Sequence, residues 1–83
     1  MTDEERDPII IDQMRKVIRS KNPPKLRIDD LQNEVFEALE NDSRLSAADL
    51  PEIRPGVRFL AKHDKKNFSI NSAEEVELAS SNT

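Results

Sequence analysis

The stretch Ile28–Leu39, IDDLQNEVFEAL, decides the fold. Counted at 3.6 residues per turn, Ile28, Leu31, Val35, Ala38 and Leu39 fall on one stripe about 100° wide, the width of a core-facing helix face. Asp29, Asp30, Asn33, Glu34, Glu37 and Glu40 take the other side. Asp29 is placed to cap the first turn, with Gln32 three residues on to reach back. Acids there also suit the positive end of the helix dipole. Asn41, Asp42 and Ser43 close the helix. Phe36 lies at the edge of the stripe, where it can meet a second element or a partner. A helix with one apolar face needs a cover, so the flanking sequence is read for what supplies it.

Upstream, residues 1–7 make a mobile polar lead. Asp7-Pro8 is a helix start: Asp caps, and Pro occupies the first helical position, where its missing N–H costs nothing. Ile10, Ile11, Met14, Val17 and Ile18 then form a second apolar stripe over residues 8–21. Ile9 falls off that stripe and is a candidate partner contact. Bases gather toward the helix C-terminus, which the dipole favours. Pro23 and Pro24 hold residues 22–27 extended, and Leu26 is expected to turn inward.

Downstream, Ser46 with Asp49 is another capping signature, cut short by Pro51, which removes a backbone donor. One short helical turn is expected over 46–53, with Leu45, Leu50 and Ile53 inward. Pro55-Gly56 reads as a turn. Residues 57–62 (VRFLAK) and 68–70 (FSI) read as strands of a β-hairpin with a polar loop at 63–67. Val57, Phe59 and Ala61 would share one face, although Leu60 interrupts the alternation. Residues 71–83 form a weakly ordered acidic tail. Residues 72–79 suit a third strand or a helical turn equally, and 80–83 are expected to be disordered. The sum is a small α+β domain over residues 8–70. Two amphipathic helices, about 8–21 and 28–41, pack on a short helical turn and a hairpin near 57–70.

A chain of 83 residues makes one domain. Leu, Ile, Val and Phe supply 21 residues, enough for a small core. With no Cys there is neither a disulfide framework nor thiolate chemistry. The longest aliphatic run, residues 9–11, is too short for a membrane span or a signal sequence. A soluble cytoplasmic chain that does not engage membrane is expected. Chemistry finds no constellation. The one histidine, His63, sits among charges in an expected loop, no Cys/His cluster has ligand spacing, and no Gly-rich loop can cradle phosphate. No catalytic residue, metal or cofactor is expected, and the chain is read as not an enzyme.

Charge is the remaining signal. The net charge of −4 resolves into blocks of −4 (1–12), +6 (13–28), −7 (29–52), +4 (53–70) and −3 (71–83). Segregated blocks create faces of opposite sign. With no catalytic site, they point to a regulatory or adaptor module that binds another protein, with Ile9 and Phe36 as candidate contacts. Association of like copies follows from the complementarity of the 15–27 and 29–52 blocks.

The alternative is carried by architecture. The order helix, helix, short helix, hairpin resembles the winged helix-turn-helix domain, which implies a DNA-binding regulator. The bases available to phosphate would be Arg15, Lys16, Arg19, Lys25 and Arg27 in the first helix and connector, and Arg58, Lys62, Lys65 and Lys66 on a basic wing. Against it, the segment in the recognition-helix position, 46–53 (SAADLPEI), offers Asp49 and Glu52 and no base, where phosphates and base edges require donors.

Overall fold

The computed structural model describes residues 2–79. In chain order these form α1 (Asp3–Arg19), β1 (Lys25–Arg27), α2 (Ile28–Leu39), a 3-10 turn (Leu50–Glu52), α3 (Ile53–His63), β2 (Phe68–Ile70) and β3 (Glu75–Leu78). The strands pair antiparallel in the order β1-β3-β2. The chain is α+β: three helices, then a C-terminal hairpin whose free edge is completed by the short strand before α2. The order of elements is winged-helix-like, but the segments that fill it differ from those the sequence suggests.

The first helix begins at Asp3, well before Pro8. Thr2 caps it: its hydroxyl accepts from the Glu5 N–H at 3.3 Å while the Glu5 carboxylate accepts from the Thr2 N–H at 3.1 Å. That reciprocal box satisfies two orphan donors at once, and the helix runs straight through the expected start at Asp7. Pro8 therefore lies inside α1. The carbonyl it fails to match belongs to Glu4, which is exposed and can bond water. Residues 3–7, expected as a mobile lead, are helical, and Arg6 among them is buried. The apolar stripe itself is where periodicity places it, with Ile10, Met14, Val17 and Ile18 buried and Ile11 half-buried.

In α2, Ile28, Leu31, Val35 and Leu39 are buried and Ala38 is exposed. Its cap position is Arg27, without a side-chain cap bond. Gln32 does not reach back to Asp29; its Nε2 donates across to the Arg54 carbonyl at 3.0 Å. Tertiary contact has taken the group that a capping box would have used.

The largest correction concerns 57–62. They are not a strand but the body of α3. Pro55-Gly56 is not a turn: Pro55 occupies the third position of that helix, among the first four whose N–H groups have no intrahelical partner. Ile53, Val57, Leu60 and Ala61 are the buried residues, a helical i, i+4, i+7, i+8 pattern. Leu60, which spoiled the alternation, was the mark of a helix. Phe59, expected inside, points out. Gly56 lets α1 and α3 approach closely, since a Cβ there would stand 3.0 Å from Ile10 Cδ1.

The hairpin consequently shifts to residues 68–78, and the expected tail supplies its second strand. Within 72–79 the strand alternative holds. Asn71 organises the connecting turn: its Oδ1 accepts from the N–H groups of Ala73 and Glu75 at 2.9 and 3.0 Å. Residues 80–83, expected to be disordered, lie outside the described residues. β3 is central, with Val76 paired to Leu26 on one side and Ile70 on the other. Leu26 turns inward as expected, because its connector has become an edge strand. Lys25 stands opposite Glu77, and Arg27 opposite Glu75, a favourable cross-strand arrangement.

Every helix and strand contributes to one core, from Ile10 and Ile18 through Leu26, Val35 and Val57 to Phe68 and Val76. Ile53 is inside and Leu45 and Leu50 pack half-buried against it, as the sequence suggests. Val35 is fully buried, so a carboxylate there would be an unpaired charge in an apolar interior. Val35→Asp is expected to cost at least about 4 kcal/mol, comparable to the whole stability of a small domain. Circular dichroism at 25 °C would then show an unfolded chain, and an unchanged thermal melt would mean the stripe does not face the core.

Candidate functional site

The sign-alternating blocks meet largely within the molecule. Lys21 pairs with Glu34 at 2.9 Å, Lys25 with Glu75 at 3.6 Å, Lys16 with Asp12 at 3.1 Å and Arg58 with Asp29 at 3.5 Å. Three of the nine bases nominated for phosphate contact, Lys16, Lys25 and Arg58, are thus engaged with carboxylates. Arg15 donates to Asn67 Oδ1 at 3.1 Å. Arg19, Lys62, Lys65 and Lys66 have no ion pair among the described residues.

The bases assigned to a wing are not on it. Arg58 and Lys62 lie on α3, and Lys65 and Lys66 lie in the turn between α3 and β2. The hairpin of the actual fold turns at Asn71–Glu75 and carries Glu74, Glu75 and Glu77. The acidic segment 46–53 forms the loop and 3-10 turn that lead into α3, and α3 itself carries Arg54, Arg58 and Lys62 and no acid.

The two apolar candidates are half-buried and pack against the core. Phe36 is covered by its own chain, with the Arg54 guanidinium 4.0 Å from its ring centroid in cation–π contact. Arg54 Nε also donates to Asn33 Oδ1 at 3.3 Å, which fixes it over the ring. Ile9, like Phe36, meets other parts of the chain.

The side chain that sequence reasoning put inside is the one the fold leaves out. Phe59 is 61% exposed, and among the described residues it is the single exposed large hydrophobic side chain. Its ring rests against the exposed His63 ring, one helical turn on, with centroids 4.5 Å apart. It borders a cleft of ≈ 250 Å³ between the N-terminal ends of α1 and α3, lined also by Pro55 and Gly56 and by Asp3, Asp7 and Glu52. Apolar surface from Phe59, Pro55 and Gly56 thus adjoins three carboxylates and the Arg6 guanidinium.

The inner wall of the cleft is fixed by Arg6. Its Nη1 donates to Asp49 Oδ1 at 3.0 Å, and Nη2 pairs with Asp3. Asp49 is buried and also accepts from the N–H and hydroxyl of Ser46 at 2.9 and 3.1 Å. The Ser46–Asp49 signature is realised as this closed turn rather than as a helix cap. The Ser46 N–H, then its hydroxyl and Arg6, hold the Asp49 carboxyl below its ordinary value against the opposing cost of burial. Asp7 goes the other way: burial and the nearby Asp3 charge raise its pKa, with Arg6 opposing. Among the described residues no group of His, Cys, Asp or Glu is arranged to hold a metal ion, and no helix is long and apolar enough to cross a membrane.

Breaking a buried pair leaves an uncompensated charge, whereas an exposed pair contributes little. Arg6→Met is therefore expected to lower the melting temperature far more than Arg44→Met, which removes the exposed pair to Asp42 at 2.6 Å; equal shifts would mean Asp49 is solvated. Acid sensitivity follows from the same bonds. Glu5, Asp42, Asp49 and Glu75 all have lowered folded-state pKa values, Asp42 falling to about 2 through its bonds from Arg44. A lowered pKa adds stability above the ordinary value and loses it as pH falls through the folded one. Asp7, raised, opposes with one group against four. The melting temperature should hold down to ~pH 5 and fall between there and ~pH 2; a melt that rises on acidification would contradict these bonds. Comparison with protein-family models, with curated proteins and with solved structures finds no match.

Proposed function

We propose that this chain is a small non-catalytic interaction module that binds protein through the outer face of α3, at the α1–α3 cleft. The observation that carries the reading is Phe59. An aromatic ring left in water at the border of a cleft is the kind of anchor on which binding energy concentrates in protein interfaces. Among the described residues the other large apolar side chains lie inside or half-covered, so the exposure is not a shortage of core.

A second reading, a winged-helix DNA-binding regulator, draws support from Arg54, Arg58 and Lys62 on α3. Its surroundings weigh against it. Asp29 already pairs with Arg58, and the hairpin carries Glu74, Glu75 and Glu77 where a phosphate-binding wing would need bases.

Replacing Phe59 by the photoreactive benzoyl-phenylalanine, which keeps the ring, tests both. Irradiation in cells is expected to yield a discrete protein adduct. No adduct, or one carrying nucleic acid, would sink the proposal. Phe59→Ala is expected to weaken that complex about 30-fold or more while shifting stability by no more than ~0.5 kcal/mol, because the ring is on the surface. Duplex DNA is expected to run unretarded at ~150 mM salt. Retardation with a steep salt slope that Arg58→Glu and Lys62→Glu flatten would favour the second reading.

A further inference from the structure

The outer face of α3 has a polarity along its length. Glu52, Pro55, Phe59 and Lys62 follow one another at three- and four-residue steps, so they lie in one row on the exposed side, with His63 beside Phe59. The N-terminal end of the row is anionic, where Glu52 joins Asp7 and Asp3 at the cleft. The C-terminal end is cationic, where Lys62 is followed by Lys65 and Lys66 in the next turn. Glu52, Asp7, Lys62, Lys65 and Lys66 have no ion pair among the described residues.

A surface that is negative at one end, apolar in the middle and positive at the other is complementary to itself under a two-fold rotation. Place the axis at Phe59. Residues before it then meet residues an equal distance after it on an antiparallel copy. The two Phe59 rings meet at the axis, Pro55 meets the second copy's His63 ring, and Glu52 comes to the turn carrying the second copy's Lys66. The α3 dipoles also oppose, positive end beside negative. The Glu52 and Asp7 carboxylates at the cleft attract the second copy's ammonium groups.

Resting on the reading of this face as a docking surface, we infer that its partner is a second copy of this chain, bound as an antiparallel α3–α3 dimer about Phe59. One helix row with an adjoining helix end is small for a specific interface, below ~1,200 Å² in total. The dimer should therefore be weak, with a dissociation constant on the order of 100 µM.

Sedimentation equilibrium from ~10 µM to ~1 mM at low salt tests this directly. The mass should rise from one chain toward two. Phe59→Ser should weaken dimerisation at least about tenfold, since both rings sit at the axis. Glu52→Lys and Lys66→Glu should each weaken it, and the double variant Glu52→Lys/Lys66→Glu should recover it to within about twofold, because the pair is restored in reverse. All are surface changes, and circular dichroism should show wild-type folding. A chain that stays monomeric at ~1 mM, a dimer indifferent to Phe59→Ser, or a double variant no better than the single ones overturns the antiparallel dimer. A crosslink from position 59 to a different protein, alongside a monomeric chain, would overturn it too while leaving the docking face intact.

Discussion

The apolar stripe of α2 is the contact on which the rest depends. Ile28, Leu31, Val35 and Leu39 are buried at once against α1 and α3. Burying each such side chain contributes about 1.5–3 kcal/mol before entropy is charged against it. In a chain of this length no second core exists to compensate for its loss. α2 is also where β1 ends: Leu26 is buried immediately before Ile28, and the Ile28 N–H donates to the Glu74 carbonyl at 2.9 Å. One stretch therefore fastens the helices to one another and the helical layer to the sheet.

That fastening determines what is left outside. With α2 held between its neighbours, α3 must turn Ile53, Val57, Leu60 and Ala61 inward, and its remaining positions divide into two flanks. On the flank toward α2, Asp29 pairs with Arg58, and Asn33 and the Phe36 ring engage Arg54. The flank toward α1 keeps Phe59, because the N-terminal turns of α1 contribute Asp3, Arg6 and Asp7 and no apolar cover. The exposed ring is thus a consequence of helix phase and of which residues α1 brings beside it. The buried Arg6–Asp49 pair reinforces the same end by tying the loop before α3 to the first turns of α1.

Charge separation in the sequence has two fates. Blocks that fold against each other cancel, as at Lys21–Glu34 and at Lys25 opposite β3. The blocks at the two ends of α3 do not, since the helix keeps them apart. A net-charge pattern along a chain is therefore a poor guide to a surface until the packing shows which charges face a mate. The basic wing that the sequence suggests dissolves on this ground: its four bases belong to a helix and the following turn, and the real hairpin is acidic.

The sequence alone determined the two apolar stripes of α1 and α2, the inward Leu26, Leu45, Leu50 and Ile53, the end of the first helix before the double proline, and the α+β class. The stripes follow from helical periodicity and the helix end from proline, which is local information, while the class rests on the strand pattern of 68–70 rather than on that of 57–62. The start of α1 was legible too, in Thr2 and Glu5, but the stronger-looking Asp7-Pro8 drew the reading away. Tertiary structure decided the rest. Residues 57–62 carry an apolar pattern that six residues cannot phase, strand against helix, and only the seats offered by α1 and α2 select the helix. The same selection sends Phe59 outward and frees 75–78 to become the central strand, because strand pairing and helix phase are settled by partners distant in the chain rather than by neighbours along it.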